Sequence, residues 1–581
     1  MKIIILLCFI VSFSFSAQAG VKNPDTLVVI KLSGDITGMD PAHAYDVSSL
    51  EIATNIYETL IDYKGESVKE YIPILSKIVP SKKNNLISKD GKTYKFPMRK
   101  GVLFHDGSKF TCKDARYSFL RFMLTDPAGG PASLLLEPLT GKTSTRDKEG
   151  NFIVNFKDVS QRVDCKGSNL VFSLPKPYQP FLSILAQFGH IVNKQWAVKH
   201  GDWDGKENSW KKFNNPKKET SYFFNHTNGT GPFMLERWDQ NVKQISLARH
   251  DKYWREPAKL KRVVIKGISE FSTRRLMIAA GDADITEGTR QFETQLRNLP
   301  GVRLINVEMA EIGGFFFNYD INPTANPAIY SGKLDGNGIP PDFFSDKDVR
   351  LAFAHAFDFD AYINSVLRGK ARRPTGCIPA GWLGHNPNGN KYRFDLDLAI
   401  EHFRKAWGGK VWKNGFKYAL YYDANNETRH LACEILKKRI ESLSPKFKIE
   451  TRPLQWSTYI SEIHANKIPM FKLRWIADFA DPHNFAFPML HSKGRYAHRQ
   501  RFNYPRWDTM IEKANLEQDP KKREQIYFEL QKLAHQEAAQ IYTDQPLSLK
   551  VVRTELKGLE LNPMRMGYYF YPIHKEVKSK K

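Results

Sequence analysis

Trp475-Ile476-Ala477-Asp478-Phe479-Ala480-Asp481-Pro482-His483-Asn484-Phe485 sets an aspartate beside a large aromatic inside an apolar run. Burial strips a carboxylate of the water that stabilises its charge, so Asp478 needs a cation or several hydrogen-bond donors. Lys472 and Arg474 are the local cations, and a ligand ammonium is another source of positive charge. Strand alternation places Lys472, Arg474, Ile476 and Asp478 on one face. The two cations therefore either meet a ligand carboxylate or neutralise the acid. Asp481, just before Pro482, reads as a helix cap.

The N-terminus speaks to compartment. Met1-Lys2, the apolar run Ile3 to Phe15 and the small-residue site Ala17-Gln18-Ala19 have the order of a secretory signal peptide cut before Gly20. The run is too short to span a bilayer, for which about 20 apolar residues are needed. Cys8 follows Leu6-Leu7 inside it and gives no lipidation motif. The reading is a soluble exported protein. About 560 residues remain, more than one hydrophobic core usually organises, which predicts two or three lobes with a cleft between them.

With 41% hydrophobic and 13% aromatic residues the chain has the composition of a globular protein. The excess of 87 Lys+Arg over 62 Asp+Glu gives a net charge of +25, scattered in pairs and triplets such as Lys521-Lys522-Arg523 and ending in Lys578 to Lys581. Export removes the usual nucleic-acid partner, so a solvated basic surface is expected and no nucleic acid. Beyond Cys8 there are Cys112, Cys165, Cys377 and Cys433; of three possible pairings, proximity in sequence favours Cys112 with Cys165 and Cys377 with Cys433. Their spacing suits neither zinc nor redox chemistry.

Along the chain, Thr26 to Lys31 reads as a buried strand and Ser48 to Leu60 as a helix capped by Ser48 or Ser49. Lys92 to Met98 reads as a strand, Thr111 to Phe122 as a helix, and 126 to 230 as a small mixed subdomain. Three strands follow, Phe233 to Trp238, Gln244 to Ala248 and Arg262 to Ile268, then a helix to Ala280. A second compact region opens at Gly313-Gly314. In it, a capping box at Ser345 and Asp348 starts a helix predicted to run to Gly369. Asp395 caps a helix, Thr428 to Leu443 is amphipathic, and Asp519-Pro520 starts a long one. The class is α/β to α+β. The catalytic signatures G-x-S-x-G and H-E-x-x-H, the phosphate loop and the dinucleotide glycine fingerprint are all missing from the sequence. His105 reads as a turn residue, and Gly229-Thr230-Gly231-Pro232 as a turn rather than a phosphate cradle, since Pro232 removes a donor.

Eight motifs in order resemble the family 5 extracellular solute-binding proteins of bacterial ABC importers, the dipeptide and oligopeptide group. They are Met39-Asp40-Pro41; Asn55-Ile56-Tyr57-Glu58-Thr59-Leu60; Arg99 to Gly107; Thr230-Gly231-Pro232-Phe233; Arg249-His250-Asp251-Lys252-Tyr253-Trp254; Gly281 to Asp284; Val349 to Asp358; and Trp475 to Phe485. The resemblance implies a two-lobed periplasmic-binding-protein fold with a hinge and an inserted subdomain. Mapped onto this chain, 20–45, 215–310 and 541–581 form the core lobe, 46–214 the insertion and 311–540 the opposite lobe. It further implies a non-enzymatic monomer without cofactor or metal that captures a small peptide and passes it to a membrane permease and its ATPase. In that family the acid matching Asp478 receives the ligand's α-ammonium, with Trp475 lining the pocket and Lys472 and Arg474 nearby. Family relatives that carry nickel complexes, haem or oligosaccharides keep a non-peptide solute open; an exported hydrolase is the competing class.

Overall fold

The structure, a computed structural model, describes residues 21–33, 35–424 and 426–576. The signal-peptide reading and the Lys578 to Lys581 tail fall outside the described residues. No helix among the described residues is long and apolar enough to cross a membrane.

One twelve-stranded sheet runs through the molecule. In chain order its strands are β1 (Thr26–Lys31), β2 (Phe233–Asp239), β3 (Gln244–Arg249), β4 (Arg262–Gly267), β5 (Ile285–Glu287), β6 (Val302–Glu308), β7 (Glu311–Phe317), β8 (Ala371–Arg372), β9 (Phe416–Asp423), β10 (Phe447–Leu454), β11 (Met470–Ile476) and β12 (Gln540–Arg553). Their spatial order is β10-β9-β11-β7-β12-β5-β1-β4-β3-β2, with β6 and β8 also on β12.

β12 joins the two halves. Gln540 to Asp544 pair with β7 and Leu547 to Arg553 with β6, while β6 continues into β7 through Met309-Ala310. At the crossing Pro546, which has no N–H to give a ladder, accepts from Met309 N at 3.2 Å. The register slips between Gly313 and Gly314, so that Gly313 faces Asp544 and Gly314 faces Tyr542. Gly313 is required there: a Cβ would stand 2.5 Å from Asp544 Oδ1. On the β7 side the core gathers Phe315, Phe317, Phe353, Phe357 and Tyr418, and on the β5 side a smaller cluster holds Ile30, Ile278, Leu549 and Val551.

The motifs read in the sequence are held by buried polar contacts, some of them to one another. Arg121 clasps Asp40 through both guanidinium nitrogens at 2.7 Å and also meets Asp202. Glu58 accepts from Tyr253 Oη at 2.7 Å and Trp254 Nε1 at 2.8 Å. Asn55 bonds both Tyr568 O and Phe570 N at 2.8 Å, and His105 Nε2 lies 3.1 Å from Gly231 O. Gly231 packs so tightly on α1 (Val47–Ile56) that a Cβ would approach Ile56 O to 2.6 Å. These buried pairs tie segments hundreds of residues apart into one body.

Several element boundaries differ from expectation. α1 is capped by Asp46, which accepts from Ser49 N, because the Ser49 hydroxyl is used by Thr37 N. α2 (Cys112–Thr125) follows Thr111 and Asp114 as a capping box. The helix expected to reach Gly369 stops early: α3 (Lys347–Ala356) is capped by Asp346 rather than Ser345. Phe357 leaves helical conformation to pack against Phe315 and Phe359, Asp358 then caps a separate turn at Ala361, and Asp348 pairs with His402. α4 (Leu396–Lys405) and α5 (Glu427–Glu441) lie near their predicted places. α6 (His483–Leu490) follows the opening motif, and α7 (Pro520–Gln536) starts after Asp519 as expected.

Cys112 and Cys165 are joined, but the pairing of Cys377 with Cys433 does not occur: both are free and fully buried, Cys377 against α7 and Cys433 in the core of α5. A small buried thiol packs there as a hydrophobe. Protein beginning at Gly20 and denatured without reductant should therefore titrate as two thiols. Cys112→Ser with Cys165→Ser, which opens a crosslink spanning 53 residues, should lower stability by about 2–4 kcal/mol in chemical denaturation.

Candidate functional site

A cavity of about 840 Å³ lies where the two halves of the sheet meet, its floor formed in part by Met309 and Ala310 at the crossing. That volume is on the scale of small-ligand sites, roughly 300–1,000 Å³. Leu32 (51% exposed), Val47 (50%) and Ile476 (49%) all line it, from opposite walls. Large apolar side chains left bare around one concavity mark a place built to be covered. Beyond Phe471, β11 is paired on the β7 side only, since its one partner on β9 is Tyr421. Hydroxyls of Tyr459 and Tyr496 take up main-chain groups of Lys472 and Arg474, which leaves Ile476 at the open end of the strand.

Asp478 lies just past that end. Asn484, in the first turn of α6, folds the loop back: its Oδ1 accepts from Asp478 N at 3.0 Å and from Trp475 Nε1 at 3.2 Å. Trp475 is then held edge-on against Tyr496 at 5.7 Å. Asp478 Oδ1 accepts from Tyr45 Oη at 2.9 Å, which reaches across from the chain leading into α1. Tyr45 precedes Val47 by two residues and Asp478 follows Ile476 by two, so the pair stands beside the two facing walls of the cavity. Burial raises the Asp478 carboxyl above the ordinary aspartate value, against the opposing pull of Tyr45, Asn484 and the more distant charge of Arg495. The same burial, with Asp478 alongside, pushes the Tyr45 phenol up.

The cations nearest in sequence are engaged elsewhere. Lys472 Nζ lies 3.2 Å from Asp544 Oδ1 and Arg474 Nη2 lies 2.6 Å from Asp544 Oδ2, with Glu311 3.6 Å from Arg474. Neither neutralises Asp478, because the strand twist and the fully buried Asp544 on β12 draw both toward the sheet. Burial would raise the Asp544 carboxyl, but its two cations hold it far below the ordinary value. Burial likewise pushes the Lys472 ammonium down to about 8, with Asp544 resisting. Asp481 accepts from His483 N as a cap does, and also carries a bidentate Arg523 at 2.7 Å. Among the described residues, Asp40, Asp481 and Asp544 each have an ion-pair partner within the protein, and Asp478 has none.

Tyr45 and Asp544 are the parts of this arrangement that sequence reading missed. Asp544 had a usable signal, an acid inside the strand-like run Ile541-Tyr542-Thr543-Asp544, the same pattern that drew attention to Asp478. Tyr45 had none.

A cleft between sheet halves, rimmed by bare apolar groups and one unpaired acid, is the architecture of a solute-binding protein. The chain belongs to the bacterial extracellular solute-binding proteins, family 5, whose middle region matches residues 81–497. It is 25% identical over 564 residues to the probable D,D-dipeptide-binding periplasmic protein of Escherichia coli, covering 96% of each chain. It is 25% identical over 542 residues to the dipeptide-binding protein of the same organism, covering 90% of this chain and 89% of the relative. The same fold occurs in the ABC transporter-associated periplasmic binding protein of Helicobacter pylori in complex with the peptide STSA, with a TM-score of 0.69, 23% identity and coverage of 95% and 98%.

Proposed function

We propose that this protein is the substrate-binding component of an ABC importer: a periplasmic, monomeric, non-enzymatic carrier that captures di- or oligopeptides between two lobes and delivers them to a membrane permease and its ATPase. The observation that carries the peptide reading is Asp478, a half-buried carboxylate at the end of an open strand edge, with a tyrosine hydroxyl and no cation. A peptide α-ammonium supplies the missing charge through a charge-assisted hydrogen bond. The rest of the peptide lies along β11 as an added strand, which reads main chain and tolerates varied side chains. Relatives named for dipeptides favour the same class.

The lobes are assigned as 20–45, 215–310 and 541–581 for the core, 46–214 for the insertion and 311–540 for the opposite lobe. Met309-Ala310 and Gln545-Pro546 then form the hinge, which places the first residues of the 541–581 segment, Ile541 to Asp544 paired on β7, with the opposite lobe. A ligand favours closure only by its greater affinity for the closed state, so contacts from both sides are needed. Tyr45 and Asp478 provide them. In this reading Trp475 walls the ammonium pocket, while Lys472 and Arg474 hold Asp544 and would meet a ligand carboxylate only in competition with it.

Thermal melting of the purified chain with a mixed peptide library, sugars, haem and nickel chelates tests the class of solute. Stabilisation by peptides alone is expected; stabilisation by one of the others, with none from peptides, would overturn the peptide reading and leave the family intact. Acidity gives a further check. Only the ionised Asp478 attracts an ammonium, so peptide affinity should fall with pH starting above the ordinary aspartate range, as seen by calorimetry. The empty protein should respond oppositely through this group. Its folded form holds the proton more tightly than the unfolded form, so the group's contribution to stability grows as pH falls between the raised value and the ordinary one.

A further inference from the structure

Away from the peptide cleft, Arg373 is a guanidinium without a hydrogen-bonded partner, and the charge of Asp360 acts on it only from a distance. It stacks over Phe359, 3.9 Å from the ring centroid, yet it makes no hydrogen bond or ion pair with any described residue, and its Nη2 is buried. Arg373 is among the residues that line an inner cavity of about 20 Å³, room for one water-sized group. His535 of α7 lines the same cavity, and its Nε2 is also buried without a partner. Lys391 stands at the margin, with its ammonium making no ion pair to a described residue. No Asp or Glu is among the lining residues.

Desolvated positive charge of this kind is costly unless an anion or acceptors compensate it. The polar groups that might have served are committed: Gln531 bonds Gly384 O and Ile378 N, and Tyr542 donates to Gln540. Burial pushes the Arg373 guanidinium down, with the charge of Asp360 opposing, and pushes His535 to about 4, so the pocket disfavours its own positive charge. Thr375, Asn390 and Gln531 also line a larger outer pocket of about 400 Å³, to which Asn386, Asn388 and Gln525 add further amides and Glu529 and Lys532 add an ion pair at 3.6 Å. The two spaces together present the Arg373 guanidinium and the His535 imidazole at depth, and amides with one internally paired lysine and glutamate outside.

We infer that this double pocket is a second binding site, for a small solute bearing a carboxylate or phosphate group, whose anionic oxygens are taken by Arg373, His535 and Lys391. The organic remainder, where there is one, sits among the amides of the outer pocket. Because Gln540 and Tyr542 of β12 line the inner cavity, the occupant lies against the strand that joins the two halves of the sheet.

The test uses the full chain saturated with a peptide, at constant ionic strength, with inorganic phosphate, acetate and succinate titrated separately and followed by melting and calorimetry. A saturable rise in melting temperature is expected with at least one anion; phosphate or acetate alone identifies a free ion as the occupant, and a tighter fit to succinate identifies an organic acid. Arg373→Gln should abolish the rise and, since it removes an unpaired charge, should leave the anion-free protein at least as stable as the parent. Lys391→Gln, at an exposed position, should weaken binding severalfold without disturbing the fold. Asp478→Ala should retain the anion response, which separates this site from the peptide reading. Absence of saturation with all three anions, or equal responses in the parent and Arg373→Gln, overturns the inference.

Discussion

Asp478→Ala should weaken binding of a free peptide on the order of a hundredfold, a loss of about 3 kcal/mol, while leaving the melting temperature of the empty protein unchanged or raised. The size follows from geometry. The carboxylate is half-buried, accepts one tyrosine hydroxyl and has no cation of its own, so a ligand ammonium would be its sole ion-pair partner among the described residues. Truncation leaves that ammonium desolvated in the closed cleft with nothing to meet it, which is worse than never having been bound. The empty protein loses a carboxylate that burial disfavours, and so has little stability to lose. Acetylating the peptide's amino group should reproduce the defect in the parent and add almost nothing in the variant, because the two changes remove one shared interaction. Calorimetry on the four combinations reads this coupling. Equal affinity of parent and variant for the free peptide would remove the ammonium role from Asp478 and leave the family assignment standing.

How much of this could be read from the chain depended on whether a residue's partner was local. β1 at Thr26–Lys31, the caps at Asp395 and Asp519, and the crosslink of Cys112 with Cys165 were all legible, because periodicity, capping chemistry and short spacing belong to the segment itself. The helix expected to reach Gly369 failed because Phe357 answers to Phe315 on a different strand, a tertiary demand that outweighs local propensity. Lys472 and Arg474 were expected to meet a ligand carboxylate or to neutralise Asp478, but the acid they pair with, Asp544, lies 70 or more residues away. Tyr45 reaches Asp478 over a separation of 433 residues and carries no pattern of its own. Local signals thus drew attention to the candidate site's strand and its acid, and the fold decided which charges were already satisfied.

The second large effect follows from that distinction: Asp544→Asn should lower stability by about 3–5 kcal/mol in chemical denaturation, far more than Asp478→Ala. Asp544 is fully buried between Lys472 and Arg474, with Thr543 donating a further hydrogen bond at 2.6 Å. An amide keeps the shape but withdraws the charge that both cations were placed around, and Glu311, at 3.6 Å from Arg474, can compensate only one of them. Lys472 is left exposed to the full cost of burial. Its ammonium already titrates at about 8 with Asp544 opposing the downward push, so removing that charge must carry it lower still. A lysine whose folded value lies below its unfolded one makes stability rise with pH across the interval between them. In the parent that rise begins near 8 and runs toward the unfolded lysine value of 10.5; in Asp544→Asn it should begin at lower pH and be larger. A variant in which Lys472, Arg474, Asp544 and Glu311, the other acid on Arg474, are replaced together by apolar residues of similar volume should recover much of the loss, because no unpaired charge of this cluster remains in the sheet. Denaturant midpoints across pH for the single and the combined variants separate this electrostatic account from a packing defect, which would leave the slope with pH unchanged.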